Sequence, residues 1–249
     1  MKFLDIPKFV INLQNRPENL ENIRKEMDYI GWEWERFNAV NRGDYMGCTL
    51  SHLEIIKTAK ERGYERVMVI EDDCIFMPYA KSLLNKIEEQ VGDIEFGVFN
   101  VTPTLNSKLN VSDKYETLLD LTNLPANHQN NYAETFATNM LIYDVLVYDE
   151  IFKISKNSFT TSGDFYHPID GYLAKFIYPN FQSYCPILPI APQRRSYSDV
   201  SQGMYNNFYT QTYNWNLYSP IKLPHEFKDE ERNELIKSGN NHKQYYYES

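Results

Sequence analysis

The stretch Val67-Met68-Val69-Ile70-Glu71-Asp72-Asp73 runs four consecutive apolar residues into three consecutive carboxylates. A continuous apolar run of this length suits a strand covered by helices on both faces, because neither side of it meets water. Its carboxylates then fall just past the strand's carboxyl end, where open parallel sheets place their ligands. If the chain stays extended, alternation sets Glu71 and Asp73 on one side, able to address one hard divalent cation or its waters. Three adjacent carboxylates repel one another, and a cation would offset that repulsion. Without a cation the same residues make a solvated acidic turn.

Working outward, strands and helices alternate. Phe9-Val10-Ile11-Asn12-Leu13 is a short β-branched run, with Pro17 following at a position suited to a first helical turn. Leu20, Ile23, Met27 and Ile30 recur at three and four residues and predict a helix that Gly31 ends in a left-handed cap. Trp34 to Val40 reads as a second strand, and Asn41-Arg42-Gly43-Asp44 breaks regular structure. Ser51 and Glu54 have the spacing of a capping box, which predicts a helix starting at Ser51 with Leu53, Ile56 and Ala59 buried. After the acidic run Pro78 restarts a helix with Leu84, Ile87 and Val91 inward, and Phe96 to Val101 reads as a further buried strand. This order predicts an α/β fold with an open, mostly parallel sheet flanked by helices.

Residues 102 to 132 are polar and Asn-rich and predict a long irregular excursion, the kind of segment that serves as a lid or acceptor loop or is simply disordered. Regular structure resumes with a strand from Thr135 to Tyr143 and a helix from Asp144 to Ile154 capped by Asp144. A short helix follows Asp170. The reading divides the chain into one domain over 1–203, with a nucleotide-binding half to about residue 101, and a Tyr- and Asn-rich extension over 204–249.

The 249 residues can bury a core without covalent staples. Cys48, Cys74 and Cys185 show no paired spacing, which suits a reducing compartment and argues against structural zinc. With no signal peptide or membrane-length apolar run evident, a soluble cytoplasmic protein is expected. A net charge of −9 repels phosphate backbones and excludes nucleic acid as the expected partner. Trp32, Trp34 and Trp215 read as packing residues rather than sugar platforms.

Five blocks in order resemble the family 25 glycosyltransferases, which include bacterial lipooligosaccharide galactosyltransferases and collagen galactosyltransferases. They are Phe9 to Leu13 with Arg16, Gly47-Cys48-Thr49-Leu50-Ser51-His52, Val69 to Asp73, Pro168-Ile169-Asp170, and Pro192-Gln193 with Ser196 to Asp199. The likeness covers about residues 8 to 200. It implies a GT-A fold, a UDP-sugar donor, Mn²⁺ (or Mg²⁺) bridging the donor diphosphate, and an inverting displacement by an acceptor hydroxyl. A galactose or glucose donor, and an acceptor that is a glycan or a glycosylatable protein, follow from the same analogy. The oligomeric state is left open by the sequence.

Carried over residue by residue, the resemblance makes Asp73 the main metal ligand, Glu71 or Asp72 its helper, and Asn12 and Arg16 contacts to the uridine or diphosphate. Ser51 and His52 are donor contacts, or a helix cap and a core histidine. Asp170 is the candidate base, or a helix cap, with Asp164 as the neighbouring alternative. Gln193, Arg194 and Asp199 are assigned to the donor site, with Arg194 and Arg195 as a phosphate clamp and Asp199 closing the metal shell; a solvated arginine pair before a turn is the alternative. A non-catalytic binding module on the same scaffold is the rival to an enzyme.

Overall fold

The computed structural model describes residues 2–42, 45–91, 94–105, 110–122, 135–154, 168–194, 196–198, 203–205 and 215. Strand β1 (Lys8–Asn12) leads through a short turn into helix α1 (Pro17–Ile30), which Gly31 terminates at φ 81° with its N–H donating to the Met27 carbonyl at 2.9 Å. Only glycine adopts that left-handed cap without steric penalty, so the predicted stop is the observed one. Strand β2 (Glu35–Asn38) and helix α2 (Tyr45–Glu61) follow, then β3 (Arg66–Glu71), α3 (Ala80–Val91) and β4 (Val98–Asn100).

Past β4 lie β5 (Thr104–Leu105), β6 (Asn110–Val111), β7 (Leu118–Asp120), β8 (Thr135–Phe136) and β9 (Met140–Asp144). The chain continues with α4 (Val145–Ile151), α5 (Ile169–Tyr172) running on into a wider turn over Leu173–Ile177, β10 (Ser183–Pro186), β11 (Ser196–Ser198) and β12 (Gly203–Tyr205).

Among the described residues, eight strands form one sheet in the order β2-β1-β3-β9-β4-β10-β7-β6. Strands β1, β2, β3, β4, β10 and β6 run one way, and β9 and β7 run against them. The expected open, mostly parallel architecture is therefore present, with β9 inserted in reverse between β3 and β4. That insertion is possible because Met140–Asp144 is buried along its whole length, so it tolerates a central position. The excursion expected over 102–132 is partly regular: β7 pairs with β10, and β6 pairs with β7, so it lengthens the sheet.

Alternation along β3 divides the core. Met68 and Ile70 pack with Ile23, Met27, Leu84 and Ile87 of α1 and α3. Val67 and Val69 face Ile55, Ile56 and Ala59 of α2 together with Val147 and Ile151 of α4. Trp32 is buried on the first side and Trp215 on the second, where its indole N–H donates to the Ile187 carbonyl at 3.0 Å. Trp34 packs against the first side from a half-buried position. No helix of the described residues is long and apolar enough to cross a membrane.

Candidate active site

The face reading of β3 extends to its end and then stops. Glu71 is the last strand residue, and Asp72 and Asp73 sit in the turn that follows, so alternation does not continue through the acidic run as the sequence suggested. Glu71 keeps to the α2 side. Its Oε1 accepts from Thr138 Oγ1 at 2.5 Å and lies 3.7 Å from the Cys48 thiol. Asp72 turns the other way: Oδ2 accepts from Asn12 Nδ2 at 2.6 Å and Oδ1 from Asn19 Nδ2 at 3.1 Å.

The first strand delivers the partners of Asp72. Asn12, buried at the end of β1, also donates to the Arg16 carbonyl at 3.1 Å, and its Oδ1 accepts from Arg36 Nη2 at 2.7 Å. Arg16 stands at the α1 N-cap, half-buried, and its positive charge favours ionised Asp72. Burial outweighs these aids, and the Asp72 carboxyl stays above its ordinary range.

Asp73 is met from the far end of the chain. Its carbonyl accepts from the Arg194 N–H at 2.6 Å, and the Arg194 guanidinium opposes, without cancelling, the upward push of burial and of Glu71 and Asp72 on the Asp73 carboxyl. Gln193 bridges antiparallel to Cys74, which fixes the strand-like approach of this segment. Arg194 in turn pairs with Glu26 of α1 at 3.1 Å. Asp199 and Arg195, and the alternative base Asp164, lie outside the described residues.

Asp170 approaches on α5. It is the second residue of that helix, with Pro168 at the N-cap, so the capping role read from sequence does not apply. Its carboxylate accepts from the Gly171 N–H at 2.7 Å and from the Ala137 N–H, yet burial raises its carboxyl. Ala137 holds φ 81°, a strained value for a residue with a Cβ, and its carbonyl accepts from Asn100. The charge of Asp170 is felt by Glu71 and by Cys48, whose ionised forms it disfavours along with burial. Four carboxylates thus converge at one end of the sheet, each with its protonated form favoured by burial.

The block from Gly47 to His52 performs a different task from the one its spacing suggested. Helix α2 begins at Tyr45, so Ser51 lies inside it; its hydroxyl donates to the Gly47 carbonyl at 2.7 Å and accepts from the Val40 N–H at 2.9 Å. The capping box fails because the helix starts two turns earlier, and a mid-helix serine satisfies itself on the preceding turn. Thr49 Oγ1 accepts the Ile169 N–H at 3.1 Å and so ties α2 to the helix of Asp170. His52 is fully buried, with Nδ1 2.9 Å from the Tyr143 hydroxyl, and burial depresses its pKa to about 3, leaving a neutral ring.

The arrangement brings Asn12, Arg16, Glu71, Asp72, Asp73, Asp170, Gln193 and Arg194 to one end of the sheet and puts Ser51 and His52 behind it. It adds residues the sequence reading passed over: Asn19 and Arg36 around Asp72, Thr138 on Glu71, and Asn139, whose carbonyl accepts the Glu71 N–H at 2.8 Å. Glu26 was detectable, as a carboxylate on the buried stripe of α1 beside Ile23, Met27 and Ile30. Chemically, carboxylates gathered beside an arginine can hold a divalent cation against a diphosphate while a further carboxylate receives a proton.

The sequence profile described as Glycosyltransferase family 25 (LPS biosynthesis protein) matches residues 42–163. No curated protein matches the chain. Among solved structures, a glycosyltransferase involved in the glycosylation of the major capsid of PBCV-1 superposes with a TM-score of 0.48 at 8% identity, covering 94% of this chain and 98% of that one. A Bacillus anthracis protein provisionally assigned as a glucose-1-phosphate thymidylyltransferase, solved with sucrose, gives a TM-score of 0.35 at 12% identity over 88% of this chain and 78% of that one.

Proposed function

We propose that this chain, whose residues 42–163 match the profile of glycosyltransferase family 25, is a metal-dependent, inverting enzyme that moves a hexose, galactose or glucose, from a UDP-sugar to a hydroxyl of a glycan or of a hydroxylysine-type protein acceptor. The observation that carries this reading is the convergence of Glu71, Asp72, Asp73 and Asp170 past the end of the central strand, with Arg194 beside Asp73. Burial raises all four carboxyls, neighbouring like charge adds to the rise at Glu71, Asp72 and Asp73, and a bound divalent cation would remove much of that cost.

In this reading Asp73, helped by Glu71, would hold Mn²⁺ or Mg²⁺, whose charge would offset the negative charge developing on a departing diphosphate. Arg194 adds a fixed cation on the same side. Asp72, with both carboxylate oxygens taken by Asn12 and Asn19, orients the nucleoside side of the pocket, where Asn12, Arg16 and Arg36 also stand. Asp170 receives the proton of the acceptor hydroxyl as that oxygen attacks the anomeric carbon from the face opposite the diphosphate. A carboxyl raised by burial is the more basic for it, which favours proton acceptance once it is ionised.

The test is nucleotide release from UDP-galactose, UDP-glucose, other UDP-sugars and GDP-sugars, with Mn²⁺ and then with chelator, beside Asp73→Ala. Release from one donor that requires metal and disappears in the variant is the expected outcome. Release unchanged by both chelator and Asp73→Ala would remove the metal-dependent mechanism, and a folded protein that neither releases nor binds any donor would turn the assignment to a binding module.

A further inference from the structure

We propose that Cys48, His52 and Glu71 form a second cation site, selective for a thiophilic divalent ion such as Zn²⁺, on the α2 side of the acidic run. One ligating atom from each, the thiol sulfur, an imidazole nitrogen and a carboxylate oxygen, lies within 4.8 Å of the others. Ligands around a shared tetrahedral zinc stand about 3.5 Å apart, given bonds of about 2.0 to 2.3 Å. The Cys48 sulfur and Glu71 Oε1, at 3.7 Å, are already near that spacing. The remaining contraction is about 1 Å, within the reach of side-chain rotation.

The three residues converge for structural reasons. Cys48 and His52 are four apart on α2 and so share one helix face, and Glu71 ends the strand that α2 covers. His52 is fully buried and neutral, and its Nε2 has no hydrogen-bond partner among the described residues. An orphaned buried nitrogen is costly, and a metal is one of the few partners that a neutral imidazole lone pair can take there. The outer contacts of a ligand set are in place as well. Tyr143 hydroxyl fixes the ring through Nδ1, and Thr138 donates to Glu71.

Ligand chemistry separates this site from the one proposed for the donor cation. Sulfur and nitrogen favour Zn²⁺ over Mn²⁺ or Mg²⁺, which prefer the all-oxygen set around Asp73. On binding, the Cys48 thiol gives its proton to solvent, and the thiolate and carboxylate together balance the ion's two charges. Three protein ligands leave a fourth position for water. Because Glu71 belongs to both sets, an ion held here withdraws a carboxylate from the acidic run, and Zn²⁺ inhibits Mn²⁺-supported turnover.

The experiment is a Co²⁺ titration of the full, reduced, chelator-stripped chain, read by absorbance and independent of any donor. The expected result is a single thiolate-to-cobalt charge-transfer band in the near ultraviolet, displaced by Zn²⁺, lost in Cys48→Ser and retained in Asp73→Ala; His52→Gln weakens Co²⁺ binding at least ~10-fold. No charge-transfer band in the folded wild-type chain overturns the proposal. So does a band that survives Cys48→Ser, since the sulfur would then be Cys74 or Cys185, and so does a band lost in folded Asp73→Ala, since the two sites would then be one.

Discussion

Glu26 and Arg194, 168 residues apart in the chain, form an ion pair at 3.1 Å in which the glutamate side chain is 0% and the arginine 10% exposed. The second oxygen of Glu26 accepts the Phe76 N–H at 3.0 Å, and the Arg194 N–H donates to the Asp73 carbonyl. One carboxylate on α1 therefore holds both chain segments that bracket the acidic turn. Removing one partner strands the other charge in the core. Glu26→Ala is expected to lose about 3 to 5 kcal/mol of stability in urea unfolding. Glu26→Gln, which still offers an acceptor to Phe76, is expected to lose less. The double variant Glu26→Gln/Arg194→Met should lose less than the sum of its singles, because the two act as one unit; strict additivity would mean the pair is not coupled.

Gly47 is fixed by contact. A Cβ there would stand 2.5 Å from the Val40 carbonyl oxygen, a backbone atom that cannot rotate away. The same carbonyl belongs to the residue whose N–H is accepted by Ser51, so α2 and the segment just past β2 are locked together at this point. Gly47→Ala is expected to cost about 1 to 3 kcal/mol. In a thermal melt that is a fall of roughly 2 to 4 °C per kcal/mol for a chain of this size. A melt that does not move would show that the helix shifts freely here.

Lys8 makes stability depend on pH in the alkaline range. It is 3% exposed on β1, with Nζ donating to the Ile6 and Leu4 carbonyls and lying over the Trp32 ring. Burial lowers its pKa from 10.5 to about 8, against the pull of Asp5 and Glu88. Between those values the unfolded chain keeps the proton that the folded chain releases, so this group's contribution to stability rises with pH across the window. Urea midpoints at about pH 7 and about pH 9.5 should rise more for wild type than for Lys8→Met, in which that dependence is absent. Equal slopes for the two proteins would remove Lys8 as the source.

The sequence was most legible where one residue decides the geometry. Gly31 gives α1 its end, the run Val67 to Ile70 gives the central strand, and Asp144 caps α4 by accepting the Leu146 N–H at 3.1 Å. It was least legible where long-range partners decide. The reversal of β9 depends on which strands flank it, and no local pattern in Met140 to Asp144 records direction. Ser51 and Glu54 have capping-box spacing, yet α2 starts at Tyr45, and the serine's partners Gly47 and Val40 are set by packing. The acidic run was readable as a site, but the separate fates of Glu71 and Asp72 come from Thr138, Asn12 and Asn19, which approach from different elements.

The link between Thr49 and Asp170 yields a prediction that separates chemistry from scaffold. Thr49 Oγ1 accepts the Ile169 N–H, one of the donors a helix start leaves without an intrahelical partner, and so sets where α5 presents Asp170. If Asp170 takes the acceptor's proton, Asp170→Asn should lower kcat by about 10²- to 10⁴-fold with the donor KM nearly unchanged, since the isosteric amide can still accept a backbone N–H but cannot take up the proton. Thr49→Val keeps the carboxylate and removes only its support. It should lose about 1 to 3 kcal/mol of stability from the orphaned N–H and lower kcat by a smaller factor, with the donor KM again unmoved. Steady-state kinetics with the donor found in the release screen decide the matter. A large rise in donor KM with kcat intact in Asp170→Asn would assign this carboxylate to donor binding, and the proton would then have to leave by another group.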